Sequence, residues 1–337
     1  MWLPRKVVFE EKALDYRRGR EMLDSFRDRQ VPVEILGEGK RVKGLTGETP
    51  LMALKEAKKV LVVRVHQARE FASCKPSAHY QLPLTGSCPG RCEYCYLFTR
   101  LGKKPYLRAY VNVEEILQRA AAYMEERAPE VTTFEGSATS DPLPLEPMTG
   151  SLAETIEFFG RQKYGRFRFV TKFSRVEGLL SLEHRMHTRF RFSVNTEQVI
   201  RDFEHGTPGL KERLKALRAV AAAGYPVGLL IAPVFLEEGW RKQYGELLGV
   251  LAAELAAYSG LTLEIILHRF TSRAKSTIQD LYPETRLPLE EEGRRFKYGQ
   301  FGYGKFVYPG SLYREAEDFF LQKIQDLLPA ARVEYLV

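Results

Sequence analysis

Between residues 77 and 270 short apolar runs alternate with stretches of helical periodicity, and this alternation restricts the fold more than any other feature of the chain. The runs are YQLPL, VTTF, FRFV, RFRFSV, VGLLIAP and LTLEIIL, each the length of a buried strand. Apolar positions recur with helical spacing over 112–127, 151–160, 175–182, 208–223 and 240–258. Strands separated by helices pair in parallel, because a crossover of helix length returns the chain to the same end of the sheet. The expectation is a parallel βα array, open or closed. Chemistry in such arrays sits at the carboxyl ends of the strands. Those ends are polar in this chain and place Ser140, Asp141, Lys172, Asn195 and His268 on one rim.

The flanks differ from the array. Residues 1–76 are rich in alternating charge and end in VLVVRV, a strand, followed by the loop FASCKPS. Residues 271–337 hold a basic aromatic stretch, RRFKYGQFGYGKFVY at 294–308, which suits a twisted hairpin, then a helix over 312–328 and a last strand VEYLV. The longest uncharged stretch, Ala219 to Leu236, contains Gly224, Pro226, Gly228 and Pro233 and so is expected to be helix end, turn and strand rather than a membrane span. Acidic residues precede any long apolar run at the start, so no signal peptide is expected and the cytoplasm is the expected compartment. With 51 basic against 43 acidic side chains the net charge is +8, which favours a polyanionic partner.

The four cysteines, Cys74, Cys88, Cys92 and Cys95, fall in one short stretch, whereas a disulfide framework spreads its pairs through a small secreted domain. Clustered thiols point to a metal. Cys88, Cys92 and Cys95 have the spacing CxxxCxxC, with Tyr94 before the last. Three thiolates on one loop suit three irons of a [4Fe–4S] cubane and leave the fourth iron open to a ligand. The competing assignment is a structural zinc site completed by Cys74, His66 or His79.

The cysteine pattern resembles that of the radical S-adenosylmethionine (AdoMet) superfamily. The segments CKPSAHYQLPLTGSCPGRCEYCYL, KPYLRAYVNVEEIL, ERAPEVTTFEGSATSD, RFVTKF, TRFRFSVN, AGYPVGLLIAP, EEGW and LHRFTSRAK together resemble the spore photoproduct lyase family over most of the chain. That resemblance implies an α/β fold: a partial (βα)6 barrel of the radical AdoMet type over 77–270, with a small N-terminal α/β segment and a C-terminal hairpin and helix extension. It implies a lyase that reverts the methylene-bridged thymine dimer of DNA to two thymines through a deoxyadenosyl radical. The implied cofactors are a [4Fe–4S] cluster on Cys88, Cys92 and Cys95, and AdoMet in a pocket lined by Ser140, Lys172, Ser193 and Ala232. Tyr96 matches an active-site tyrosine, and an electron donor such as flavodoxin or ferredoxin is the implied protein partner of a monomer.

Two departures stand out. The family carries a cysteine in FEAxCTSD as hydrogen donor to the product radical, and FEGSATSD has Ala138 there. The family's GRYGIGK hairpin is GQFGYGK, with Gln300 and Phe301 replacing Arg and Tyr, while Lys305 is kept. Cys74 is the remaining thiol and the candidate replacement donor, acting directly or through Tyr94 or Tyr96. Arg269, Arg273 and Lys305 are the candidate contacts to the DNA backbone. Alternative functions are a radical AdoMet enzyme acting on another substrate and a zinc-stabilised DNA-binding protein.

Overall fold

The computed structural model describes residues 2–37, 39–40, 42, 47–102, 104–255, 258–298 and 304–337. Its larger sheet contains all six strands of the array: β1 (Ala78–Leu82), β2 (Thr132–Gly136), β3 (Gly165–Thr171), β4 (Thr188–Val194), β5 (Val227–Val234) and β6 (Thr262–Leu267). They lie side by side in chain order, all parallel, and curl into a half-barrel. The sheet is extended at one edge by Arg332–Leu336, parallel to β6, and at the other by the two residues Ser73–Cys74, antiparallel to β1.

The strand period of two sorts residues between the two faces of this sheet. In β3 and β4 the aromatic side chains Phe167, Phe169, Phe190 and Phe192 are buried in the main apolar core, together with Phe159 of the helix Ser151–Gly160 and Leu217 of the helix Leu210–Ala222. The alternating positions Arg168 and Arg191 join Glu135, Glu264 and Glu334 in a buried ion network on the concave side. An apolar layer under the helices and a charged lining inside the barrel thus come from one sequence pattern.

A second sheet, in the order Val33–Leu36, Lys6–Glu10, Val60–Arg64, Leu107–Tyr110, Thr85–Gly86, draws strands from both sides of residue 76. Its last two strands flank the cysteine loop in sequence. The C-terminal stretch forms the expected hairpin, Arg295–Tyr298 against Gly304–Val307, then the helix Gly310–Leu327 and a strand.

One expected helix is absent. Residues 175–182 hold only the 3-10 turn Glu177–Leu179, because burying Val176 and Leu179, three apart, needs a single turn. The helices Glu197–Phe203 and Ser272–Leu281 carry too few apolar repeats to stand out in the sequence. Among the described residues no helix is long and apolar enough to cross a membrane.

Gly136 ends β2 where backbone and ring pack too closely for a side chain. An added Cβ would lie 2.5 Å from the Phe167 ring and 3.2 Å from Phe169 Cβ. Gly136→Ala is expected to destabilise the fold by about 1–3 kcal/mol, as overpacking does, seen as a lower urea midpoint with unchanged slope. A midpoint equal to wild type would contradict this packing.

Candidate active site

The cysteine loop is anchored from outside its own sequence. Cys92 and Arg91 pair antiparallel with Glu204 and His205, and Glu93 N donates to Phe203 O at 2.9 Å. The Tyr282 hydroxyl donates to Arg91 O at 2.9 Å, and the Glu93 carboxylate bonds His205 Nε2 at 2.7 Å and Thr285. Within the loop Gly90 N donates to Cys88 Sγ at 3.3 Å. A Cβ at Gly90 would stand 3.0 Å from Thr207 Cγ2, so only glycine brings this amide against the sulfur without displacing a neighbour. Burial raises the pKa of all three thiols, that of Cys92 to about 12. Among the described residues no three His, Cys, Asp or Glu side chains are grouped to hold a single metal ion. Of the side chains considered as fourth zinc ligands, His79 Nδ1 already accepts from Thr133 N at 2.9 Å, and His66 packs edge-on against Tyr110.

Above the loop lies a buried cluster of charge. Lys172, at the end of β3, donates from Nζ to Ser193 Oγ at 2.7 Å and to Glu204 Oε1 at 3.0 Å. Arg213, fully buried, donates to Glu204 Oε2 at 2.5 Å, to Ser193 O at 3.0 Å and to Pro208 O. The Tyr94 hydroxyl donates to the same carboxylate. Burial alone would raise the pKa of Glu204, but Lys172 and Arg213 outweigh it and bring the value to about 2. Asp141 shows the opposite balance. It accepts from Lys172 N, Thr171 Oγ1 and Leu143 N, yet burial lifts it to about 6.

The structure therefore brings Lys172 and Ser193 into direct contact, with Ala232 half-buried at the end of β5. Ser140 fastens the start of the cysteine loop, since its hydroxyl donates to Ser87 O just before Cys88 and accepts from Thr85 Oγ1 at 2.8 Å. Asn195 and His268, also on the rim, are committed to the scaffold. Asn195 bonds Pro233 O, Thr196 N and Tyr244, and buried His268 packs on Phe235, its pKa lowered to about 3 by burial and Arg294. Sequence reasoning missed Glu204 and Arg213. The signal is faint, an acidic residue and an arginine around the turn HGTPG.

Cys74 stands on the other side of the site. Its edge strand pairs with β1 opposite Ala78, and its thiol is half-buried, raised to about 12 by burial and by Glu135, against the pull of Arg191 and Arg168. The Tyr96 ring is 55% exposed, its hydroxyl donates to Ala138 O at 2.6 Å, and it lies within electrostatic range of Cys74. Tyr96 thus bonds the Ala138 backbone and lies within electrostatic range of Cys74, whereas the Tyr94 hydroxyl is spent on Glu204.

The C-terminal hairpin is tied to the end of β6 by the Phe270–Phe306 bridge. That bridge brings exposed Arg269 beside Lys305, whose pKa is lowered by burial and by the Arg269 charge. Arg273 is exposed on the helix Ser272–Leu281, and Phe296 and Tyr298 project from the hairpin. Gln300 and Phe301 lie outside the described residues.

The model of the spore photoproduct lyase family matches residues 2–337. The chain belongs to that family. Spore photoproduct lyases of Clostridium acetobutylicum and Bacillus subtilis are 44% and 42% identical to it, each over 99% of this chain and 98% of the relative. Among solved structures, a spore photoproduct lyase double variant, one cysteine changed to alanine and one serine to cysteine, with bound AdoMet and dinucleoside spore photoproduct, matches at 45% identity. The TM-score is 0.96, covering 100% of this chain and 99% of that one. A spore photoproduct lyase complexed with dinucleoside spore photoproduct matches at 44% identity and the same TM-score.

The Glu204 cluster makes a prediction about acid stability for this member of the family. A carboxylate held near 2 in the fold and near its ordinary value of 4.5 when unfolded stabilises the fold above the unfolded value and loses that effect as pH falls toward 2. The magnitude is roughly 3 kcal/mol. Glu204→Gln should lower stability at neutral pH and flatten its fall between about pH 5 and pH 2, measured by urea unfolding across pH. An acid limb as steep as wild type would show that Glu204 is not the group responsible.

Proposed function

We propose that this chain is a DNA-repair lyase that reverts the spore photoproduct to two thymines, using AdoMet and a [4Fe–4S] cluster. The observation that carries the reading is the arrangement of one site: a three-thiol loop below the Lys172–Ser193–Glu204 cluster, with Cys74 and Tyr96 at its side. The donor set fits a cluster. Cys88, Cys92 and Cys95 supply sulfur alone, and the Gly90 amide donates to one of them. When bound, the cluster supplies the electron that cleaves AdoMet to a deoxyadenosyl radical. An electron donor such as flavodoxin or ferredoxin and a cytoplasmic monomer complete the reading.

The chain's own residues bind and finish the reaction. Lys172, Ser193, Ser140 and Ala232 line the AdoMet pocket. The Lys172 ammonium, held by Glu204, and the Ser193 hydroxyl are the polar groups that orient it. After the bridge between the thymines breaks, the allylic thymine radical needs a hydrogen atom from a weak X–H bond. The methyl of Ala138 offers none, and Cys74 does. Its S–H bond breaks as the thymine C–H bond forms, which leaves a sulfur radical at Cys74. Tyr96, in electrostatic range of that sulfur, is the candidate to return a hydrogen atom to it, with the unpaired electron then on the phenol oxygen. The high pKa of Cys74 keeps it as the thiol, the form that donates hydrogen.

The test is anaerobic incubation with AdoMet, dithionite and synthetic dinucleoside spore photoproduct, followed by chromatography. Thymine release supports the lyase, and AdoMet cleavage with no thymine would point to a different substrate. Cys74→Ala is expected to consume AdoMet while diverting product to adducts such as a dithionite-derived sulfinate. Clean, full-yield thymine from that variant would exclude Cys74 as donor.

Arg269, Arg273 and Lys305 are assigned to the phosphates that flank the lesion, while Phe296 and Tyr298 offer rings to an unstacked base. Replacing all three cations by alanine should weaken DNA binding and lower the slope of log affinity against log salt by about 0.9 for each phosphate no longer neutralised. An unchanged slope would remove them from the DNA interface.

A further inference from the structure

Lys58 is the last residue one would expect to be buried in this chain. It caps the C-terminal end of the helix Pro50–Ala57, on a segment of the N-terminal sheet region, and is only 4% exposed. Its ammonium donates to Ser87 Oγ at 2.8 Å and to the backbone carbonyl of Cys88 at 2.7 Å, and it stands 6.0 Å from the centre of the Phe98 ring. Ser87 passes the chain of bonds on to Pro105 O at 2.8 Å. Among the described residues no carboxylate is ion-paired with Lys58. Cys88, Cys95 and Cys92, which are negative as thiolates, lie within its electrostatic reach, and so does the like charge of Arg108.

A buried ammonium without a counter-charge costs several kcal/mol. On the reading of Cys88, Cys92 and Cys95 as cluster ligands, the matching negative charge forms on the cluster, because a cluster carried by three thiolates is an anion and gains a further unit of negative charge on reduction. We propose that Lys58 is the fixed counter-charge of the iron–sulfur cluster, holding the loop through the Cys88 carbonyl and raising the cluster's reduction potential so that a one-electron donor can fill it. Net charge, hydrogen bonds near the sulfurs and exclusion of water are the levers a protein has over such a potential. Lys58 supplies the first, from a helix outside the barrel array. It acts through the cluster and is a positioning residue. The inference rests on the reading of Cys88, Cys92 and Cys95 as cluster ligands.

The experiment is anaerobic reconstitution of the full chain, iron and sulfide analysis, and a potentiometric titration followed by electron paramagnetic resonance, for wild type, Lys58→Gln and Lys58→Arg. Glutamine keeps a hydrogen-bond donor and removes the charge, and arginine keeps the charge. The expectation is that Lys58→Gln binds the cluster but is harder to reduce by at least tenfold in the equilibrium constant, about 59 mV for one electron, while Lys58→Arg stays near wild type. Loss of the cluster from the glutamine variant but not from the arginine variant also supports a charge requirement. A wild-type midpoint in Lys58→Gln would overturn the proposal, as would loss of the cluster from both variants with the fold intact by circular dichroism. If wild type itself takes up no cluster, the ligand assignment fails first and the proposal falls with it.

Discussion

The site depends on one buried carboxylate. Glu204 gathers Lys172 from β3, Arg213 from a helix behind β4 and Tyr94 from the cysteine loop, while its own backbone pairs with Cys92. Two cations and a phenol around one anion satisfy groups that would otherwise be buried at high cost, and removing any member strands the rest. The same group that neutralises the charge also sets the height of the cysteine loop above the barrel. Packing, electrostatics and the placement of three thiols are therefore a single problem with a single solution here.

The barrel interior follows the same logic on a larger scale. Strand alternation drives the phenylalanines of β3 and β4 into the apolar layer and leaves Arg168 and Arg191 facing inward, where Glu135, Glu264 and Glu334 meet them. Such a lining is costly to bury unless every charge is met. It gives the concave side a fixed polar surface beside Cys74, whose surroundings include Glu135, Arg191 and Arg168. Ser77, three residues after Cys74, donates to Glu135 and accepts from Arg191, so the thiol-bearing turn is fastened to this lining.

The exchange of a cysteine for Ala138 reads differently once the geometry is known. Tyr96 bonds the Ala138 carbonyl and lies in range of Cys74, so the two positions share a neighbour although 64 residues separate them in the chain. Donation of a hydrogen atom needs a weak bond near the radical and does not need a particular strand to carry it.

Local features of the chain are legible in the sequence. The six parallel strands and most of the helices between them follow from apolar spacing within a few residues, and the cysteine loop stands out as three cysteines within eight positions. The segment 175–182 reads as a helix and is not one, because a 3-10 turn and a short helix share the same apolar spacing. The resemblance of whole segments supplies the family, and it names Lys172 and Ser193, which the structure brings into contact. Only the tertiary structure reveals Glu204, Arg213 and Lys58, since a lone charged residue in a sequence reads as solvated surface. Lys172 and Glu204 are 32 positions apart, and Lys58 and Cys88 are 30. Which charges are buried, and against what, is decided by long-range chain packing, because only that packing removes water from them and makes a distant partner necessary.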